Sequence, residues 1–132
     1  MLTGRDPPTL NNHGAARTVE SYIEAIASKD FDRARTFLAD TGFSYRSPLS
    51  SHSDADRFIA DISRVWPILE GIDVRRAFVD GDEVCSILDY RIRLSSLQVV
   101  PVAQLAKVSD GRIVALETFF DASDYRRMVE VE

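Results

Sequence analysis

Over residues 15–29 the apolar side chains Val19, Tyr22, Ile23 and Ile26 recur at i, i+3, i+4 and i+7, a spacing that puts all four on one stripe of an α-helix. Such a stripe has to face a core. Asp30 stands where a side-chain oxygen can cap a second, shorter helix with an apolar line of Phe31, Ala34, Phe37 and Leu38, ended by Asp40-Thr41-Gly42. The two are expected to form an αα-hairpin. Residues 43–47 alternate and stop at Pro48, which predicts a short strand and then a polar loop over residues 50–53. The helical period returns with Phe58, Ile59, Ile62, Val65, Trp66 and Leu69. Ser53 is the expected N-cap, Asp56 follows three residues on, and Pro67 should end this third helix near Trp66.

Beyond Gly71 the period drops to two. Strands are predicted at residues 72–79, 83–94, 99–108 and 112–120, divided by Asp80-Gly81-Asp82, Ser95-Ser96 and Ser109-Asp110-Gly111, turn sequences that favour antiparallel hairpins. Three helices with one short strand, then a meander of four longer strands, is an α+β arrangement of order α-α-β-α-β-β-β-β. A long antiparallel sheet twists and curls, so helices on its concave side should close a cone with a cavity at the wide end.

Composition narrows this picture. A chain of 132 residues, 45% hydrophobic, is the size of one domain with one core. That domain is expected over residues 15–132, behind a flexible lead-in of residues 1–14 containing Pro7-Pro8 and Asn11-Asn12-His13-Gly14. The tail through Ser123, Tyr125 and Met128 is expected to add a helical turn or to lie on the surface. Sixteen basic against twenty-one acidic residues, intermixed as in Asp32-Arg33, argue against nucleic acid as a partner. Cys85 alone allows no internal disulfide, and no apolar run approaches the ~20 residues of a spanning helix, so a cytoplasmic protein without membrane contact is expected.

The blocks Val19-Glu20-Ser21-Tyr22-Ile23-Glu24-Ala25-Ile26, Asp30 through Asp40, Tyr45-Arg46-Ser47-Pro48, and Ala106 through Ile113 running on to Thr118-Phe119-Phe120-Asp121 resemble, in order and spacing, the nuclear transport factor 2-like (SnoaL-like) superfamily. The resemblance spans roughly residues 15–122. It implies the cone fold and a pocket, and points towards ketosteroid isomerases, polyketide cyclases or epoxide hydrolases. It also implies a homodimer joined through the outer sheet face, where Val99 and Leu105 are expected to lie uncovered. Tyr22 matches the oxyanion-stabilising tyrosine of the isomerase branch. That branch's general-base aspartate is replaced by Ser47, and its second oxyanion donor by Gln104, which donates a hydrogen bond but shuttles no proton. The Asp-Arg-Asp set of the epoxide hydrolases has no counterpart at inward positions. Whether the chain is an enzyme therefore stays open.

Alternation with the isomerase comparison turns Gln104 and Thr118 inward, and with them Leu88, Tyr90 and Ile92; Asp89, Arg91 and Arg93 turn outward, towards Lys107 and Glu117. Candidate ligand-binding residues are Tyr22, Tyr45, Ser47, Trp66, Gln104, Thr118 and Phe120, with Trp66 and Phe120 as cavity walls. Tyr22 is equally an ordinary member of the helix stripe. Asp89 becomes a catalytic candidate beside Tyr22 only if its strand slips by one residue; otherwise it forms an outer ion pair with Arg91 or Lys107. A Ser47-His52-Asp54 triad can be sketched, but nothing like a nucleophile elbow surrounds Ser47, and His52 reads as a surface residue. No histidine-based metal site and no phosphate-binding glycine loop is present, and no cofactor is expected. Three functions remain: a binder of a small hydrophobic ligand; an isomerase, cyclase or dehydratase acting on a small ketone-like or polyketide-like substrate; or a dimeric interaction module without ligand.

Overall fold

A computed structural model describes the backbone of residues 6–123 and the side chains of residues 14–123. Helix α1 (Asp6–Ala27) and helix α2 (Phe31–Thr36) lead into strands β1 (Ser44–Arg46) and β2 (Ser51–His52). Helix α3 (Ala55–Val65) and a 3-10 turn (Trp66–Ile68) follow, then strands β3 (Leu69–Asp80), β4 (Glu83–Arg93), β5 (Leu97–Ser109) and β6 (Arg112–Phe119). The α+β order read from the sequence holds, with one strand more.

Helix α1 starts inside the stretch read as a lead-in, because Pro7 and Pro8 fall in its first turn, where amide hydrogens have no intrahelical acceptor. Its stripe of Val19, Tyr22, Ile23 and Ile26 is buried against the concave sheet face. Lys29 adopts a left-handed φ of 63°, and Asp30 accepts a 3.2 Å bond from the Arg33 amide, so the hairpin turns within three residues. Helix α2 ends at Thr36, shorter than its apolar line predicted: Ala34 is buried within it, and Leu38 lies beyond it, buried in a bridge to Ile113.

The sheet runs in the order β2-β1-β6-β5-β4-β3. It is antiparallel except at β1, which lies parallel to β6 because no tight turn joins them. The loop expected at residues 50–53 is in part strand β2. Ser47 Oγ accepts amide hydrogens from Leu49 and Ser50 at 3.1 and 3.2 Å, folding the chain back so that His52 pairs with Tyr45. Helix α3 is capped by Asp54, not Ser53: its carboxylate accepts from the Asp56 and Arg57 amides. The β5–β6 hairpin closes on Asp110 (φ 53°) and Gly111 (φ 76°), both left-handed, as its two-residue turn requires.

On β4 the residues Val84, Ser86, Leu88, Tyr90 and Ile92 face the helices, while Asp89, Arg91 and Arg93 face away. Asp73 and Asp89 sit directly opposite each other on neighbouring strands. Like charges there repel, and each carboxylate is met by an arginine: Arg91 for Asp73 at 2.9 Å, Arg75 for Asp89 at 3.6 Å. The outer ion pairs expected with Lys107 form instead with arginines, and Glu117 bonds Arg46 at 3.0 Å.

Candidate functional site

Between α1, α3 and the concave sheet lies a cavity of about 380 Å³ with mainly apolar walls, among them Ile23, Ile26, Phe58, Ile62, Leu88 and Val102. All seven side chains singled out as ligand-binding from the sequence, Tyr22, Tyr45, Ser47, Trp66, Gln104, Thr118 and Phe120, line this one space. Asp89 does not. Its strand keeps the register that turns Leu88 and Tyr90 inward, so Asp89 ends on the outer face beside Arg75 and has no place in the cavity's chemistry.

The polar groups fall into two stations. At the buried end Gln104 and Thr118 on β5 and β6 are direct cross-strand neighbours, only 3% and 6% exposed; Ser86 on β4, opposite Gln104, is buried but does not line the cavity. The Thr118 hydroxyl lies 3.1 Å from that of Tyr45. The Gln104 Nε2 group is buried without a hydrogen-bond partner among the described residues, and so is the Trp66 indole Nε1. Leaving a buried donor unpaired costs about 1–3 kcal/mol, which the strand and the 3-10 turn impose by fixing both side chains. Trp66 is further held edge-on against Tyr90, with ring centroids 5.5 Å apart.

Burial pushes the Tyr22 phenol well above its ordinary range, and any negative charge on Tyr90 or Tyr45 would push it further. Burial raises the Tyr90 phenol as well, with a smaller contribution from Tyr45. Both are uncharged donors at neutral pH.

The second station is at the mouth, and sequence reasoning missed it. His52, read there as a surface residue, lines the cavity with its side chain 18% exposed, and its Nε2 lies 3.1 Å from Asp61 Oδ2 on α3. Asp61 is bound from its other oxygen by Arg64. The sketched Ser47-His52-Asp54 triad does not form: Asp54 caps α3, and Ser47 Oγ is occupied by the turn. One signal was available in the sequence: Asp61 sits within the apolar stripe Phe58, Ile62 and Val65, where a carboxylate is out of pattern. Among the described residues no group of three or more His, Cys, Asp or Glu side chains is placed to hold a metal ion.

Residues 19–116 match the family model of the SnoaL-like domain. No curated protein matches the chain in sequence. Among solved structures, a protein from Kribbella flavida superposes with a TM-score of 0.78 at 27% identity, covering 87% of this chain and 93% of that one. An LEH-like epoxide hydrolase from M. tuberculosis gives 0.76 at 22% identity, covering 90% and 92%. A protein of Jannaschia assigned as a SnoaL-like polyketide cyclase gives 0.78 at 14%, covering 92% and 95%. Among the described residues no helix is long and apolar enough to cross a membrane.

Proposed function

Because the chain belongs to the SnoaL-like domain family, we propose that its cavity binds a compact, uncharged, largely apolar molecule through one hydrogen-bond acceptor, such as a carbonyl oxygen. The observation behind this is the Gln104 amide: 3% exposed, on the cavity wall, with an Nε2 donor that none of the described residues engages. Trp66 Nε1 and the uncharged Tyr22 and Tyr90 add donors rather than acceptors. Among the described residues neither lysine nor arginine lines the space, so an anionic ligand would meet no countercharge from them.

Trp66 is the only tryptophan and reports occupancy by its fluorescence. Titration with a ten-carbon cyclic ketone and with the hydrocarbon of the same skeleton should give tighter binding of the ketone. Gln104→Leu should weaken ketone binding about tenfold while leaving the hydrocarbon unaffected and the melting temperature unchanged or raised. Equal affinity for ketone and hydrocarbon in the unaltered protein would sink the reading.

A second copy of the chain is the proposed partner. Val99, Leu105 and Phe119 lie on the outer sheet face at 56%, 36% and 49% exposure, and no helix among the described residues covers them. We place the protein in the cytoplasm, on its single cysteine.

A further inference from the structure

Binding alone leaves the pair at the mouth without a role. The Asp61 carboxylate only accepts hydrogen bonds, so His52 Nε2 carries the hydrogen of their 3.1 Å contact, and Nδ1 is left as the basic nitrogen. Tyr45 and Phe58 flank the imidazole, with ring centroids 6.1 and 5.9 Å away, and Arg64 steadies Asp61 from the opposite side. The arrangement is a base with an orienting partner, at the solvent end of an apolar cavity whose buried end offers an amide donor.

We propose that the protein is a hydrolase of compact, uncharged esters or lactones, with His52 as general base on water and Asp61 as its positioning residue. The proposal rests on the binding reading above, in which the carbonyl oxygen meets Gln104. His52 Nδ1 takes a proton from water while the water oxygen bonds to the carbonyl carbon. The C=O π pair moves onto oxygen, where the Gln104 N–H meets the developing negative charge. That pair then re-forms the C=O bond as the bond to the alkoxy oxygen breaks. The proton on His52 goes to the departing alkoxide. Acid and alcohol leave, a hydroxy acid in the case of a lactone, and the imidazole is neutral again. Water fits as the nucleophile because His52 is part-exposed, while Ser47 Oγ is taken up by the Leu49 and Ser50 amides.

The test uses the full chain with δ-decalactone and ethyl hexanoate, acid release being followed in a pH-stat, and the same ten-carbon ketone as a binding control. Turnover should exceed that of free imidazole at equal concentration. His52→Gln should lower kcat by about 100-fold or more with ketone affinity retained, which also shows that the variant folds. Asp61→Asn should lower kcat about tenfold at unchanged KM, and Asp61→Glu should recover part of the loss, a pattern that a merely structural role would not give. If the ketone binds but neither substrate turns over faster than with His52→Gln, the hydrolase is overturned and the binding reading stands. If the ketone fails to bind and neither substrate is hydrolysed, both fall.

Discussion

Two buried phenols give the cavity a measurable pH signature. For Tyr22 and Tyr90 burial raises the folded-state pKa above the unfolded value of about 10, so above that pH the unfolded chain binds fewer protons than the folded one. Their contribution to stability is complete below pH ~10 and is lost as the pH climbs from there towards the folded values. The melting temperature should therefore fall above pH ~10, and absorbance titration at tyrosinate wavelengths should find Tyr22 and Tyr90 silent until the fold opens. Tyr22→Phe removes one such group and should flatten the alkaline fall. A titration in which all four tyrosines ionise together in the native protein would refute the burial on which this rests. At this scale the sequence was informative where alternation applied: period two put Gln104 and Thr118 each on one face of its strand, and the isomerase resemblance made that face the inner one. It was silent on His52, since a two-residue strand is too short to show a period.

Turns and caps decide where elements begin, and here local chemistry outranks pattern. Ser53 and Asp54 are both competent caps, yet Asp54 is used because only its carboxylate reaches the Asp56 and Arg57 amides once β2 has fixed the approach of the chain. Asp54→Ala should cost about 1 kcal/mol and roughly 3 °C of melting temperature, while Ser53→Ala should cost almost nothing. The reverse order in a thermal melt would return the cap to Ser53. The β5–β6 turn makes a parallel case: Gly111 at φ 76° costs an L side chain about 1–2 kcal/mol, so Gly111→Val should destabilise by that amount without touching the cavity. The hairpins of β3 to β6 were legible because their turn residues are explicit. The β1–β2 pair was not, because what makes it is Ser47 Oγ reaching two backbone amides, and a serine before proline announces no such bond. The same omission hid the mouth of the cavity, since β2 is what carries His52 to α3.

For the whole molecule the open question is the outer sheet face. Along β5 the outward positions Val99, Pro101, Ala103 and Leu105 run as an apolar row, with Phe119 beside Ala103 on β6 and Ile87 on β4. Of the charges flanking this row on β3 and β4, Arg75 pairs with Asp89, Arg91 with Asp73 and Arg93 with Glu70, while Arg76, opposite Ile87, lies over the Phe78 ring. Two copies meeting over this row would bury mainly apolar side chains and internally paired charges, with Arg76 stacked on Phe78 at its edge, even though each carries a net charge of −5. The cavity opens on the opposite side of the sheet, so such a dimer would leave both mouths accessible. Sedimentation velocity at micromolar concentration should give a dimer for the unaltered chain. Leu105→Glu, and separately Val99→Glu, should give monomers that still bind the ketone with unchanged affinity, because a charge on this face meets its own copy in the partner across the two-fold axis. A monomer before any substitution would remove the proposed partner. Loss of ketone binding on monomerisation would mean instead that the curvature of the sheet, and with it the position of Gln104, depends on the second copy.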